Sequence, residues 1–474
     1  MEVKKLHMGP AKIGLDLGDG SERAEYVNQD YILWKLGRPH RCINIMYTYY
    51  PNDKEWPARI SEAWKDKEVT FAWAYPYDDY FPYRENGEPF NQMKDIRRHG
   101  QDVLLTLTID CSVSDDELRK IAKELKPFGR MRIRINHECD GDWFTHSKRY
   151  SYEEVGKFFV RFANILKEEA PNVSTIFCAG MVVDTDDTGK RAISKQSEFE
   201  DCYKAADIWS SDKYLSLHYG WPYDIAEPGG GQYCFYTVDE VYDMFKETGL
   251  WLREHYGDKK LTSAELNCDG DVTGPLSQPD SVVRFYHKFR DDNAGDWFGG
   301  ISMYQFRDCG RLGLEIQDPN NKSVGIEQPL LRAYKEILDD DYFKPSMETG
   351  DAVAFPAKLR WGGAEDADGI ALKIDFEKNP EFCEVTLDKE NSYMLEINGR
   401  WFYKAPGVET IDLMPAFFDK PLSGAESIIV KLFATPANGV NDNTGASDWT
   451  TNYYTEIKEE PKFRIRYEVP AIVK

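Results

Sequence analysis

The sequence predicts an α/β protein: a (β/α)8 TIM barrel followed by a C-terminal antiparallel β-sandwich domain. Three observations point there. From Cys42 to about Lys335, strand-like runs alternate with helix-like runs, the pattern of parallel βα units. After about Met347 the pattern changes to alternating apolar and polar residues broken by turn residues, as in an antiparallel sandwich. The length of 474 residues suits a barrel plus one smaller domain. The chain accordingly divides into residues 1–345 and 346–474.

The eight barrel strands are expected at Cys42–Thr48, Thr70–Tyr75, Val103–Ile109, Met131–Glu138, Thr175–Gly180, Leu215–Tyr219, Leu261–Leu266 and Gly300–Phe306. Asp115 to Leu125 carries helical periodicity between two of them. So does Tyr152 to Ala170, where Ser151 as N-cap and Glu154 three residues on read as a capping box. One extra run, Lys12 to Leu17, precedes the barrel and is expected to seal its floor or to pair with the second domain. In the second domain, strands are expected at Gly369–Phe376, Cys383–Asp388, Tyr393–Ile397, Ser427–Leu432 and Lys462–Val469, with Asn398-Gly399 as a hairpin turn. This domain reads first as a packing module for the barrel and second as a carbohydrate-binding module.

Composition bounds the function. The net charge of −23 argues against nucleic acid and anionic membranes, which need clustered Lys and Arg. With 41% hydrophobic residues the chain can bury a large core, yet no run of about 18 or more apolar residues could insert in a bilayer. Nine cysteines without a CxxC pair read as mostly free, buried thiols. No apolar segment follows the N-terminal Met-Glu-Val-Lys-Lys, so a cytoplasmic location is expected if the sequence is complete, and a secreted or periplasmic one if a signal peptide has been removed.

Two glutamates carry the candidate chemistry. Glu138 closes the expected fourth strand and Glu265 lies in the expected seventh, so both carboxyls should stand at the C-terminal rim, where barrels of this type do their chemistry. Rims of the fourth and seventh strands face each other, and two facing carboxylates are the equipment for cleaving a glycosidic bond. Along the fourth strand the even positions Arg132, Arg134, Asn136 and Glu138 are polar, whereas Met131, Ile133, Ile135 and His137 alternate with them. Buried polar residues of this kind are costly unless paired, so the polar face should line the barrel interior and rise to Glu138. The structural alternatives are a solvated edge strand for this run and an ion pair or helix cap for Glu265.

The run Arg134-x-x-His137-Glu138-x-x-Gly141-x-Trp143-Phe144 resembles the acid/base motif of glycoside hydrolase family 26, β-mannanases and relatives with (β/α)8 folds in clan A. The resemblance implies a retaining enzyme acting on β-linked glycans, with Glu138 as acid/base and Glu265 as nucleophile. Arg134 and His137 would then position the carboxylates, with Asn136 beside them, and Trp143 would wall a sugar subsite. The segment His218-Tyr219-Gly-Trp221 resembles the strand-six region of the clan, where a Tyr hydrogen-bonds the nucleophile. Where clan members carry a strand-eight Trp, this chain has Tyr304-Gln305-Phe306.

Aromatic residues make up 14% of the chain, and one cluster runs from Trp73 through Tyr75 to Tyr83. It reads as sugar-stacking surface, with Trp73 and Tyr75 as candidates, or as loop packing. The eight histidines show no metal-protease spacing, and no phosphate loop or serine elbow is present, so neither cofactor nor catalytic metal is expected. The expected partner is an oligosaccharide or polysaccharide substrate. The competing reading is a catalytically inactive carbohydrate-binding barrel joined to a sandwich, which would keep the aromatic rim but not two closely facing carboxylates.

Overall fold

The structure is a computed structural model that describes residues 2–19, 26–49, 51, 81–83, 89–140, 150–186, 188–218, 233–308, 310–441 and 451–469. Eight parallel strands close a barrel in the order Gly14–Gly18, Cys42–Tyr49, Asp102–Ile109, Met131–Ile135, Val173–Ala179, Ile208–Ser211, Leu261–Leu266 and Phe298–Met303. The last strand returns to the first through pairs such as Gly300 with Gly14, and the first meets the second through Asp16 and Cys42. Each strand leads to a helix on the outside, from Gln29–Leu36 after the first to Pro329–Asp339 after the last. Leu107, Ile133, Phe162, Phe245 and Phe285 belong to the large buried cluster between strands and helices. The barrel interior holds a smaller apolar plug of Cys42, Leu104, Ile176, Cys178 and Ala264.

The expected helices form. Asp115–Leu125 is capped by Ser114, and Tyr152–Glu169 by the reciprocal Ser151–Glu154 box. A second box, Thr237 with Glu240, opens Val238–Tyr256. Each supplies partners for backbone N–H groups that a helix start leaves without any.

The barrel departs from expectation in three places. Lys12 to Leu17 neither seals the floor nor pairs with the second domain: Gly14–Gly18 is itself the first barrel strand. Thr70–Tyr75 lies outside the described residues, and Cys42–Tyr49 pairs with Asp102–Ile109 over its whole length, which leaves no place for a strand between them. The sixth strand is Ile208–Ser211, paired with the fifth and seventh; Ser216–His218 instead forms a small antiparallel pair with Tyr233–Phe235 beyond the rim. The run at Lys12 to Leu17 is legible as a strand but its place is not, whereas Ile208–Ser211 is four residues long and half polar, so period and hydrophobicity pass over it. Leaving Gly14–Gly18 out of the barrel and putting Thr70–Tyr75 in cancel in the count, and the sixth strand is replaced one for one, which leaves Met131–Ile135 fourth and Leu261–Leu266 seventh.

The second domain begins at Ser346–Ala352, next to the expected boundary, but it also takes Glu2–Gly9 from the chain start. That strand, counted above with the barrel, lies between Ser346–Ala352 and Asp366–Phe376 in an eight-stranded antiparallel sheet. A three-stranded sheet of Thr410–Asp412, Phe382–Thr386 and Lys462–Arg466 accompanies it, and Leu372, Leu395, Val430, Val385 and Phe417 share a buried core. Asn398 and Gly399 turn the hairpin between Ser392–Ile397 and Arg400–Lys404 with φ of 54° and 87°. Two residues of positive φ match the twist of the flanking strands.

Candidate active site

The fourth strand ends at Ile135, three residues before Glu138. Asn136 and Glu138 take positive φ, 60° and 43°, and break the strand alternation. Asn136 turns back to the third strand: its side-chain Oδ1 accepts from Ile109 N at 2.8 Å, while its backbone N–H donates to Leu107 O at 3.1 Å. Asn is among the residues that tolerate left-handed backbone best, and here its side chain also anchors the loop. The break brings His137 round to the barrel mouth, although strict alternation would have placed it with Met131, Ile133 and Ile135 against the helices. Arg134 points inward as the polar alternation requires and is fully buried.

Glu265, on the seventh strand, is held at both oxygens. Its Oε1 accepts from Arg134 NH1 at 2.6 Å and lies 2.9 Å from His137 Nδ1. Its Oε2 accepts the Tyr214 hydroxyl at 2.9 Å. Asp212, one residue past the sixth strand, accepts the Glu265 backbone N–H at 3.0 Å and Arg134 NH2 at 3.0 Å. Arg134 thus sits between two carboxylates and also touches His137. With a proton on Nδ1, His137 donates to Glu265 and meets Arg134 donor to donor, so the carboxylate is the partner that orients the ring.

The electrostatics separate the carboxylates. Burial alone would raise Glu265, but the charges and hydrogen bonds of His137 and Arg134 outweigh it and hold the carboxyl well below its ordinary range. For Asp212 burial dominates and, with the Glu265 charge, pushes it up to about 7 against the pull of Arg134. Glu138 is more open, with its side chain 24% exposed against 4% for Glu265. His137 Nε2 lies 3.7 Å from Glu138 Oε1. One oxygen of Glu138 and one of Glu265 lie within 4.8 Å of each other.

Of the residues singled out from the sequence, the structure gathers Arg134, His137, Glu138 and Glu265. Tyr304, just past the eighth strand, joins them through Tyr214, ring to ring at 5.8 Å and nearly edge-on. Asn136 is next to the cluster but engaged with the third strand. His218 ends the small pair beyond the rim, and its side chain, with Trp73, Tyr75, Trp143, Tyr219 and Trp221, falls outside the described residues. Asp212 and Tyr214 were not singled out. Their signal was their place just after Ile208–Ser211, visible only once that run is read as the sixth strand.

His137, Glu138 and Glu265 could each offer a ligand atom to one metal ion. The guanidinium of Arg134 at 2.6 Å from Glu265 argues against it, because a fixed positive charge already occupies the carboxylate such an ion would need. The described cysteines are free; Cys139 donates to Cys178 O, and Cys268 sits against Ser216 and Thr273.

No protein-family model matches this sequence, and no curated protein matches it. Several solved structures are similar in fold. A family 39 glycoside hydrolase from Bacteroides cellulosilyticus is 11% identical with a TM-score of 0.43, over 90% of this chain and 81% of its own. A family 51 α-L-arabinofuranosidase from Bifidobacterium longum is 11% identical with a TM-score of 0.42, over 90% and 97%. A family 1 β-glucosidase from Thermotoga maritima is 10% identical with a TM-score of 0.43, over 66% and 85%.

Proposed function

We propose that this chain is a retaining glycoside hydrolase that cleaves β-linked glycans by double displacement, with Glu265 as nucleophile and Glu138 as acid/base. The observation that carries the reading is the approach of the two carboxylates to within 4.8 Å, oxygen to oxygen, at the C-terminal rim of a barrel. The carboxyl groups of retaining pairs stand about 5–5.5 Å apart and those of inverting pairs about 6.5–9.5 Å, and a nearest-oxygen approach this close favours the shorter spacing.

The surroundings support the assignment of roles. A nucleophile must be ionised and aimed, and Glu265 has Arg134, His137 and Tyr214 on its two oxygens. An acid/base must exchange protons with the leaving group and then with water, and Glu138 is the more open of the two. In the first step Glu138 protonates the glycosidic oxygen while Glu265 attacks the anomeric carbon, forming a glycosyl ester and releasing the leaving-group sugar. In the second, Glu138 removes a proton from water, which attacks the anomeric carbon, breaks its bond to the Glu265 oxygen and frees the carboxylate. Arg134 and Tyr214 stabilise the carboxylate as it departs. The β-linkage, and a mannanase-like specificity, rest on the resemblance of Arg134-x-x-His137-Glu138 to the family 26 motif.

The test is hydrolysis of a panel of aryl β-glycosides and soluble β-glycans by the wild type, Glu138→Ala and Glu265→Ala, with and without azide. Loss of the acid should cost about 10²–10⁴-fold with a poor leaving group. Azide should rescue Glu138→Ala as a β-glycosyl azide and Glu265→Ala as an α-glycosyl azide. No hydrolysis of any member, with glycan binding unchanged in both variants, would leave the inactive carbohydrate-binding barrel as the better reading.

A further inference from the structure

We infer that the floor of the barrel, at the end opposite the two glutamates, is a binding site for a small oxyanion such as phosphate. A cavity of about 270 Å³ opens there, lined by the first residues of the barrel strands and the loops that enter them. In a chain with net charge −23, its lining is basic: Lys12, Arg41, Arg132, Lys259 and Lys260 against Asp16 and Asp207.

Both acids are already engaged. The Arg41 guanidinium lies across the floor beside Gly14 and Gly300, where a Cβ would fall 2.2 Å and 2.0 Å from it. It grips both oxygens of Asp16, at 2.9 Å and 2.6 Å, and donates to Gly299 O at 2.8 Å. Asp16 Oδ1 also accepts Cys42 N at 3.1 Å. Asp207 accepts the N–H and hydroxyl of Thr175 at 2.8 Å and 2.9 Å.

Arg132 is therefore left with little countercharge. Its side chain is 19% exposed, and its NH1 lies 3.8 Å from the Asp16 oxygen that Arg41 holds. The same nitrogen donates to the Cys42 thiol, which burial keeps neutral. A largely buried guanidinium without a full partner is costly. Water would solvate it without neutralising it, whereas an oxyanion would do both. The planar fork of Arg132 suits a tetrahedral oxyanion, and the exposed Lys12 and Lys260 at the mouth would draw one in. Leu104, Ile176 and Ala264 of the apolar plug form the inner wall of this cavity, and the inference stands whether or not the rim hydrolyses glycosides.

The test is calorimetric titration of the full chain with inorganic phosphate, sulfate and glucose 6-phosphate, with chloride keeping ionic strength constant. The wild type should bind phosphate saturably, and its thermal midpoint should rise with phosphate and not with chloride. Arg132→Gln should weaken binding roughly tenfold or more, the loss expected for a charge-assisted contact. Lys12→Glu combined with Lys260→Glu changes only exposed side chains, so it decides the matter if Arg132→Gln does not fold; it too should weaken binding several-fold. Tighter binding of glucose 6-phosphate would identify a phosphorylated sugar as the ligand, and equal or weaker binding an inorganic ion. Absence of saturable phosphate binding in the wild type overturns the inference, as does binding unchanged in the lysine variant.

Discussion

Glu265 is gripped at both oxygens before any substrate arrives, and this makes Tyr214 and Asp212 as testable as the glutamates. Tyr214→Phe removes one hydrogen bond to a charged carboxylate, about 1.5–3 kcal/mol. We expect kcat to fall roughly 10–100-fold with KM little changed, read by steady-state kinetics on an activated aryl glycoside. Asp212 bears on pH. Its carboxyl is raised in the fold, so the folded protein binds that proton more tightly than the unfolded chain. Its stabilising contribution is therefore complete below the ordinary Asp value of about 4 and disappears as pH rises through about 7. Glu265 acts in the opposite sense: its lowered carboxyl stabilises above the ordinary Glu value and loses that effect only on acidification. Thermal midpoints measured between pH 4 and pH 8 should decline less steeply for Asp212→Asn than for the wild type. An unchanged slope would mean that Asp212 does not hold that proton.

At the scale of elements, the helix starts and the hairpin are set by local chemistry. Thr237→Ala breaks the capping box of Val238–Tyr256 and should cost about 1 kcal/mol in denaturant unfolding. Ser151–Glu154 and Asn398-Gly399 were legible for the same reason: a cap or a tight turn is decided by three or four consecutive residues. The barrel place of Gly14–Gly18, and the strand Ile208–Ser211 altogether, were not. Asp16, Ser210 and Ser211 interrupt any apolar run, and they are tolerated there because Arg41, Cys42 N and neighbouring carbonyls receive them. A strand whose polar residues are satisfied across the barrel carries no mark in its own sequence of the neighbours it pairs with.

At the scale of the molecule, the two domains meet through buried ions as well as through Glu2–Gly9. Asp102, at the start of the third barrel strand, accepts from Arg97 at 3.4 Å, from Arg130 at 3.0 Å and from the Ala364 N–H of the second domain at 3.1 Å. Asp102→Ala leaves a fully buried Arg97 and a mostly buried Arg130 without that partner. Chemical unfolding should show a loss of about 3–5 kcal/mol, and the barrel and sandwich should be weakened together. Separate transitions, with only the barrel affected, would show that the contact does not couple them.

The sequence by itself determined the class of the fold and the order in which Glu138, just past the fourth strand, and Glu265, in the seventh, come along the barrel. These depend on periodicity and on order along the chain, which a linear reading preserves. Tertiary structure alone decided that Glu2–Gly9 joins the second domain, that Gly14–Gly18 closes the barrel, and that Asp212 and Tyr214 reach Glu265. Tyr214 lies 51 residues from Glu265, and Asp102 is 262 residues from Ala364. Such contacts are fixed by which strands close the barrel and where each one ends. Those choices follow from hydrogen bonds and charges satisfied between distant segments, so no local stretch of sequence records them.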